Sequence, residues 1–105
     1  MAWPENADGD VFRRLESQGF DFSKPCWIDF NVDFESWPPP DSAIKQVNHR
    51  FPQATVGVED DDEGGYLLVR FFEKLTYEFV IRVQQELSES MAPFNGHCDS
   101  WGLLH

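Results

Sequence analysis

The sequence has no apolar run approaching the roughly 18–20 residues of a membrane-spanning helix. Its opening residues, MAWPENADGD, lack the basic and apolar regions of a secretory signal. Basic side chains are scarce: eight Lys and Arg stand against nineteen Asp and Glu, a formal net charge of −11. That shortage opposes binding to phosphate backbones and to anionic membrane surfaces. Cysteine is nearly missing. Cys26 and Cys98 form no C-x-x-C pair, which removes the usual redox and structural-zinc signals. Without an export signal they are expected to be free, mostly buried thiols. Also absent are a P-loop, a G-x-G-x-x-G, a G-x-S-x-G and an H-E-x-x-H motif. The expectations that follow are a cytoplasmic protein with no cofactor, no metal, no membrane contact and no direct contact with nucleic acid.

What is present is enough for a core. The chain of 105 residues is 41% hydrophobic and 15% aromatic, with ten Phe and four Trp. This is the size of one domain, 1–105, with residues 1–7 expected as a flexible N-terminus. The surplus of carboxylates favours solubility and speeds encounter with a basic protein partner.

Periodicity orders the elements. A helix is expected from Asp10 to Gln18, capped by Asp8 or Asp10 and stopped at Gly19, with Val11, Phe12 and Leu15 on one stripe. PCWIDFNVDF (Pro25–Phe34) alternates as a strand, with Ile28, Phe30, Val32 and Phe34 facing the core. ESWPPPDS forces an extended link. A second helix is expected over Asp41–Arg50 with Ala43, Ile44, Val47 and Phe51 on its stripe; Pro52 ends it. ATVGVE (Ala54–Glu59) reads as a short strand with Val56 and Val58 inward, and DDDEGG (Asp60–Gly65) as a solvated hairpin loop without calcium-loop spacing. YLLVRFFEKL (Tyr66–Leu75) is a strand with Leu67, Val69 and Phe71 inward. A helix over Thr76–Met91 carries the stripe Val80, Val83, Leu87 and Met91, and one last strand closes the chain.

The order is a helix followed by β-α-β-β-α-β. It predicts an α+β ferredoxin-like sandwich: a four-stranded antiparallel sheet, two helices on one face and an extra N-terminal helix. Trp27, Tyr66, Leu68 and Phe72 then fall on the other face, where such folds can stack RNA bases. The K/R-G-F/Y pattern of an RNA-recognition motif is missing, however, and Asp29, Asn31 and Asp33 line the same face. These aromatics are expected to be covered by the first helix, or else to meet a protein.

The closing GHCDSWGLLH gathers His97, Cys98 and Asp99. On a regular strand His97 and Asp99 point one way and Cys98 the other, so the neighbours cannot act as nucleophile and base. A metal site would need a further ligand, and His49 is the other interior His. Unbroken alternation also puts Trp101 with His97 and Asp99, although Ser100-Trp101-Gly102 can depart from it.

In order along the chain, DGDVFRRLESQGFDFSKP (Asp8–Pro25), the strand after it, GGYLLVRF and Cys98-Asp99-Ser100-Trp101-Gly102 resemble the regulator of ribonuclease activity B family, also described as ribonuclease E inhibitors. The family pattern has a D-G before the first helix, a D-x-S-K-P before the first strand and a closing Y-D-G-W-G. The resemblance implies a ferredoxin-like domain that binds ribonuclease E without catalysis and lowers its RNA cleavage, helped by the arginine-rich noncatalytic region of that nuclease. The expected protein partner is thus ribonuclease E or another basic nuclease, and the candidate contact residues are Trp27, Tyr66, Arg70, Asp99 and Trp101. Other readings are an immunity or antitoxin-like acidic module and, less favoured, a small enzyme. No set of base, nucleophile and oxyanion donor can be assembled for the latter.

Overall fold

A computed structural model describes residues 3–61 and 64–103, the side chains of Asp61 and Asp99 excepted. The elements are α1 (Ala7–Ser17), β1 (Pro25–Phe34), α2 (Asp41–Arg50), β2 (Thr55–Asp61), β3 (Gly64–Lys74), α3 (Tyr77–Met91) and β4 (Gly96–Leu103). The strands form one antiparallel sheet in the order β2-β3-β1-β4. The α+β class expected from the sequence is therefore present. Residues 62 and 63 of the expected hairpin loop lie outside the described part, while Asp60 and Gly65 already pair as strand residues.

β1 follows its alternation. Ile28, Phe30 and Val32 are fully buried, as are their neighbours Leu67 and Val69 on β3; Phe71 is buried beside them. The helices close that side. Ala43 and Val47 from α2, and Val80, Val83, Leu87 and Met91 from α3, complete the core. Each large side chain so buried contributes about 1.5–3 kcal/mol relative to exposure. The Thr76 hydroxyl accepts the Phe79 amide at 3.1 Å and starts α3. Phe30, Phe71 and Phe79 meet edge to face, and Arg82 lies 5.6 Å above the Phe79 ring.

Trp37, in the proline link after β1, folds back over the β2–β3 hairpin, and its indole N–H donates to the Asp60 carboxylate. The backbone of Gly65 lies beneath that ring. A Cβ there would sit 2.7 Å from Trp37 and 2.2 Å from the Glu59 carbonyl oxygen, so glycine is required by close approach.

Two local expectations differ from the structure. α1 starts at Ala7 because Asn6, rather than Asp8 or Asp10, is the cap: its side-chain oxygen accepts the Gly9 amide at 2.8 Å. Gly19, with φ +79°, ends the turn after α1 as expected. Val58 pairs with Leu67 across the ladder, yet it is 47% exposed. It stands in the middle of β2, an edge strand with no neighbour on its outer side.

α1 does not lie on the helix-free sheet face. Phe12, fully buried, is the centre of an aromatic cluster with Trp3, Phe22, Tyr77 and Trp101, at centroid distances of 4.7–6.0 Å. The helix is thereby docked beside α3 and β4, on the core side. Asn6 adds a bond from its amide to the Tyr77 hydroxyl at 2.9 Å. Trp3, within the stretch expected to be a loose N-terminus, packs against this cluster. The expectation that Val11, Phe12 and Leu15 cover Trp27 and Phe72 is overturned: these two aromatics are exposed.

Candidate protein-binding face

The outward residues of β1 are Trp27, Asp29, Asn31 and Asp33, and antiparallel register sets each beside an outward residue of a neighbouring strand. Trp27 pairs with Phe72, Asp29 with Arg70 and Asn31 with Leu68 on β3. On its other side β1 pairs Asp29 with Gly102, Asn31 with Ser100 and Asp33 with His97. β2 adds Thr55 beside Arg70, Gly57 beside Leu68 and Glu59 beside Tyr66. Side chains from the two central strands thus form a strip, flanked by the small residues Thr55, Gly57, Ser100 and Gly102 and, at one end, by Glu59 and His97. A Cβ on Gly102 would meet nothing within 4 Å.

One end of the strip is apolar. The rings of Trp27 and Phe72 lie 5.0 Å apart, inclined by 51°, and are 43% and 53% exposed. The middle is an ion pair: Arg70 donates from Nε to Asp29 Oδ1 at 2.7 Å and from Nη2 to Oδ2 at 3.3 Å. This two-pronged contact holds the guanidinium pKa above its usual value, with Glu59 adding to the effect. Next to it the Asn31 amide donates to the Ser100 hydroxyl at 3.0 Å. The far end carries Tyr66 and Leu68, both half-buried, with Glu59 and Asp33 at the margins. Phe72 and Tyr66 are six residues apart, so the strip is about 20 Å long.

Of the five candidate contact residues, the structure brings Trp27, Tyr66 and Arg70 together on this face. It places Trp101 elsewhere. Between Asn31 and Val32 the β1–β4 register shifts: Ser100 pairs with Asn31 and Cys98 with Val32, leaving Asp99 as the extra residue of a bulge. The bulge resets the alternation, so Trp101, opposite Phe30, faces the core side with Cys98. Its indole N–H donates to the Asp8 carboxylate of α1 at 2.7 Å. Asp99 is located only by its backbone, since its side chain lies outside the described part.

The sequence reading placed Phe72 and Asp29 on this face but left both out of the candidate contact residues. The register, which sets Phe72 against Trp27 and Asp29 against Arg70, is what joins them to the contact set. Cys26 is half-buried, and burial pushes its thiol pKa up, away from a reactive thiolate. Among the described residues, no three His, Cys, Asp or Glu side chains gather, and no polar or charged residue is fully buried.

This is a small α+β domain with one sheet face that no helix covers. The family model described as Regulator of ribonuclease activity B matches residues 5–103, and the chain belongs to that family. The family is one of regulators, not of catalysts. No curated protein and no solved structure matches the chain. No helix among the described residues is long and apolar enough to cross a membrane.

Proposed function

We propose that this chain is a noncatalytic regulator that binds a ribonuclease by direct protein contact and lowers its RNA cleavage, as inhibitors of ribonuclease E do. One observation carries the reading: an exposed Trp27–Phe72 pair lies on a sheet face that no helix covers, with the Asp29–Arg70 ion pair next to it and Glu59 exposed farther along. Apolar rings left in water mark an interaction surface, and the charge of −11 selects a basic partner over RNA. The strand order β2-β3-β1-β4 supports a ferredoxin-like sandwich, formed as one domain over 1–105 in the cytoplasm.

The test is a pull-down with the arginine-rich region of ribonuclease E, paired with an RNA-cleavage assay. Binding at low salt that weakens as salt rises, with slower cleavage in the bound state, is the expected result. No binding at low salt removes ribonuclease E as the partner.

A further inference from the structure

The strip on the open face is not uniform along its length. Lys74 and Pro25 lie at its first end, followed by the Trp27–Phe72 pair, the Asp29–Arg70 ion pair, and Leu68 beside Asn31. Tyr66, Glu59 and Asp33 come last. Opposite ends therefore attract by different physics. Water leaving the two rings gives a contact that salt hardly alters, whereas exposed carboxylates give an attraction that salt screens over about 10 Å at 0.1 M. The mutual pairing of Asp29 and Arg70 neutralises the middle and keeps the two ends electrically distinct.

We propose that the face binds its partner in one direction, taking a basic segment of the ribonuclease that carries an apolar side chain at one end. The apolar side chain seats on Trp27 and Phe72. The cations reach Glu59 about 20 Å away, a distance spanned by six or seven extended residues or about thirteen helical ones. The occupant is basic because the exposed Glu59 carboxylate marks the far end and because the whole chain is acidic. Lys74, beside the aromatic end, repels a segment laid the other way round. This assignment rests on the ribonuclease-binding reading and adds to it the surface, the direction and the division of labour.

The experiment is binding of the arginine-rich ribonuclease E segment to the full chain across a range of salt, followed by tryptophan fluorescence. Trp27 is the most exposed Trp among the described residues, so the expected signal is a blue shift on binding that disappears in Trp27→Phe. The pair Trp27→Ala and Phe72→Ala is expected to weaken binding tenfold or more at every salt concentration, leaving the salt slope unchanged. Glu59→Gln is expected to flatten the slope, with less than threefold effect at high salt. Circular dichroism and melting temperature confirm that each variant is folded.

If the wild-type chain binds and the aromatic double variant binds as well as it does, this surface is wrong and the ribonuclease reading stands. If Glu59→Gln leaves the slope intact while the aromatic variant changes it, the direction is wrong. If the wild-type chain does not bind at all, the ribonuclease reading falls and takes this assignment with it.

Discussion

Phe30 and Trp27 stand three residues apart on the same strand, one fully buried and the other 43% exposed. The two faces of the sheet share every backbone hydrogen bond and differ only in which alternate side chains they receive. Toward the helices those side chains are mainly aliphatic and aromatic, interlocked with α2 and α3. Toward solvent they are rings, an ion pair and amides arranged in rows. Both faces hold large aromatics, so aromatic content alone does not define a core. The helices settle that, and their apolar stripes find one face only. The other face keeps its rings for something outside the chain.

Substitutions on either side should sharpen the contrast. Phe30→Ala removes a ring packed against Phe71 and Phe79 and should cost about 3–5 kcal/mol in urea unfolding. Trp27→Ala, on the same strand, should change stability by no more than about 0.5 kcal/mol. A loss above about 2 kcal/mol at Trp27 would mean that its face is structural after all.

Asp8→Ala comes next in size. It leaves the Trp101 indole N–H without its acceptor and should cost about 1–2 kcal/mol, seen as early loss of the near-ultraviolet signal of the Phe12 cluster on heating. Asp29→Ala should have a smaller effect on melting temperature than Asp8→Ala, because the Arg70 pair lies on the solvent face of the sheet, only part-buried. That effect should shrink further as salt is raised.

The smallest effect belongs to Cys26. Burial raises its thiol pKa in the folded chain above the ordinary 9.0. A raised value means that the folded state holds its proton more tightly than the unfolded one. The stability so gained is complete below the unfolded value and is lost as pH rises through the folded one. Melts followed from about pH 8 to about pH 10 should show an alkaline decline that is shallower in Cys26→Ala.

Much of this was legible in the residues. β1 and α2 were readable to their ends because strict alternation and flanking prolines leave little choice. α3 announces its start through Thr76 and its stripe through Val80, Val83 and Leu87. α1 was readable as a helix but not in its placement. Its stripe of Val11, Phe12 and Leu15 demands burial without saying where, and the answer depends on Tyr77 and Trp101, far along the chain. The site was legible in part: Trp27, Tyr66 and Arg70 follow from strand phase. Trp101 did not, because one unpaired residue at Asp99 turns everything after it to the other face, and no residue type signals such an insertion. Val58 was misplaced since alternation reports a face and not whether the strand lies at the edge of its sheet.

The docking of α1 also sets an order in time. Its anchors are Tyr77 on α3 and Trp101 on β4, the latter 93 residues from Asp8. On the ribosome α1 is made before β4, and Phe12 has no complete place to go until that strand has emerged. A chain cut short before Trp101 would therefore leave the α1 aromatics exposed, a state that chaperones and proteases readily recognise. The contact between α1 and β4 thus makes burial of the Phe12 cluster depend on the last strand.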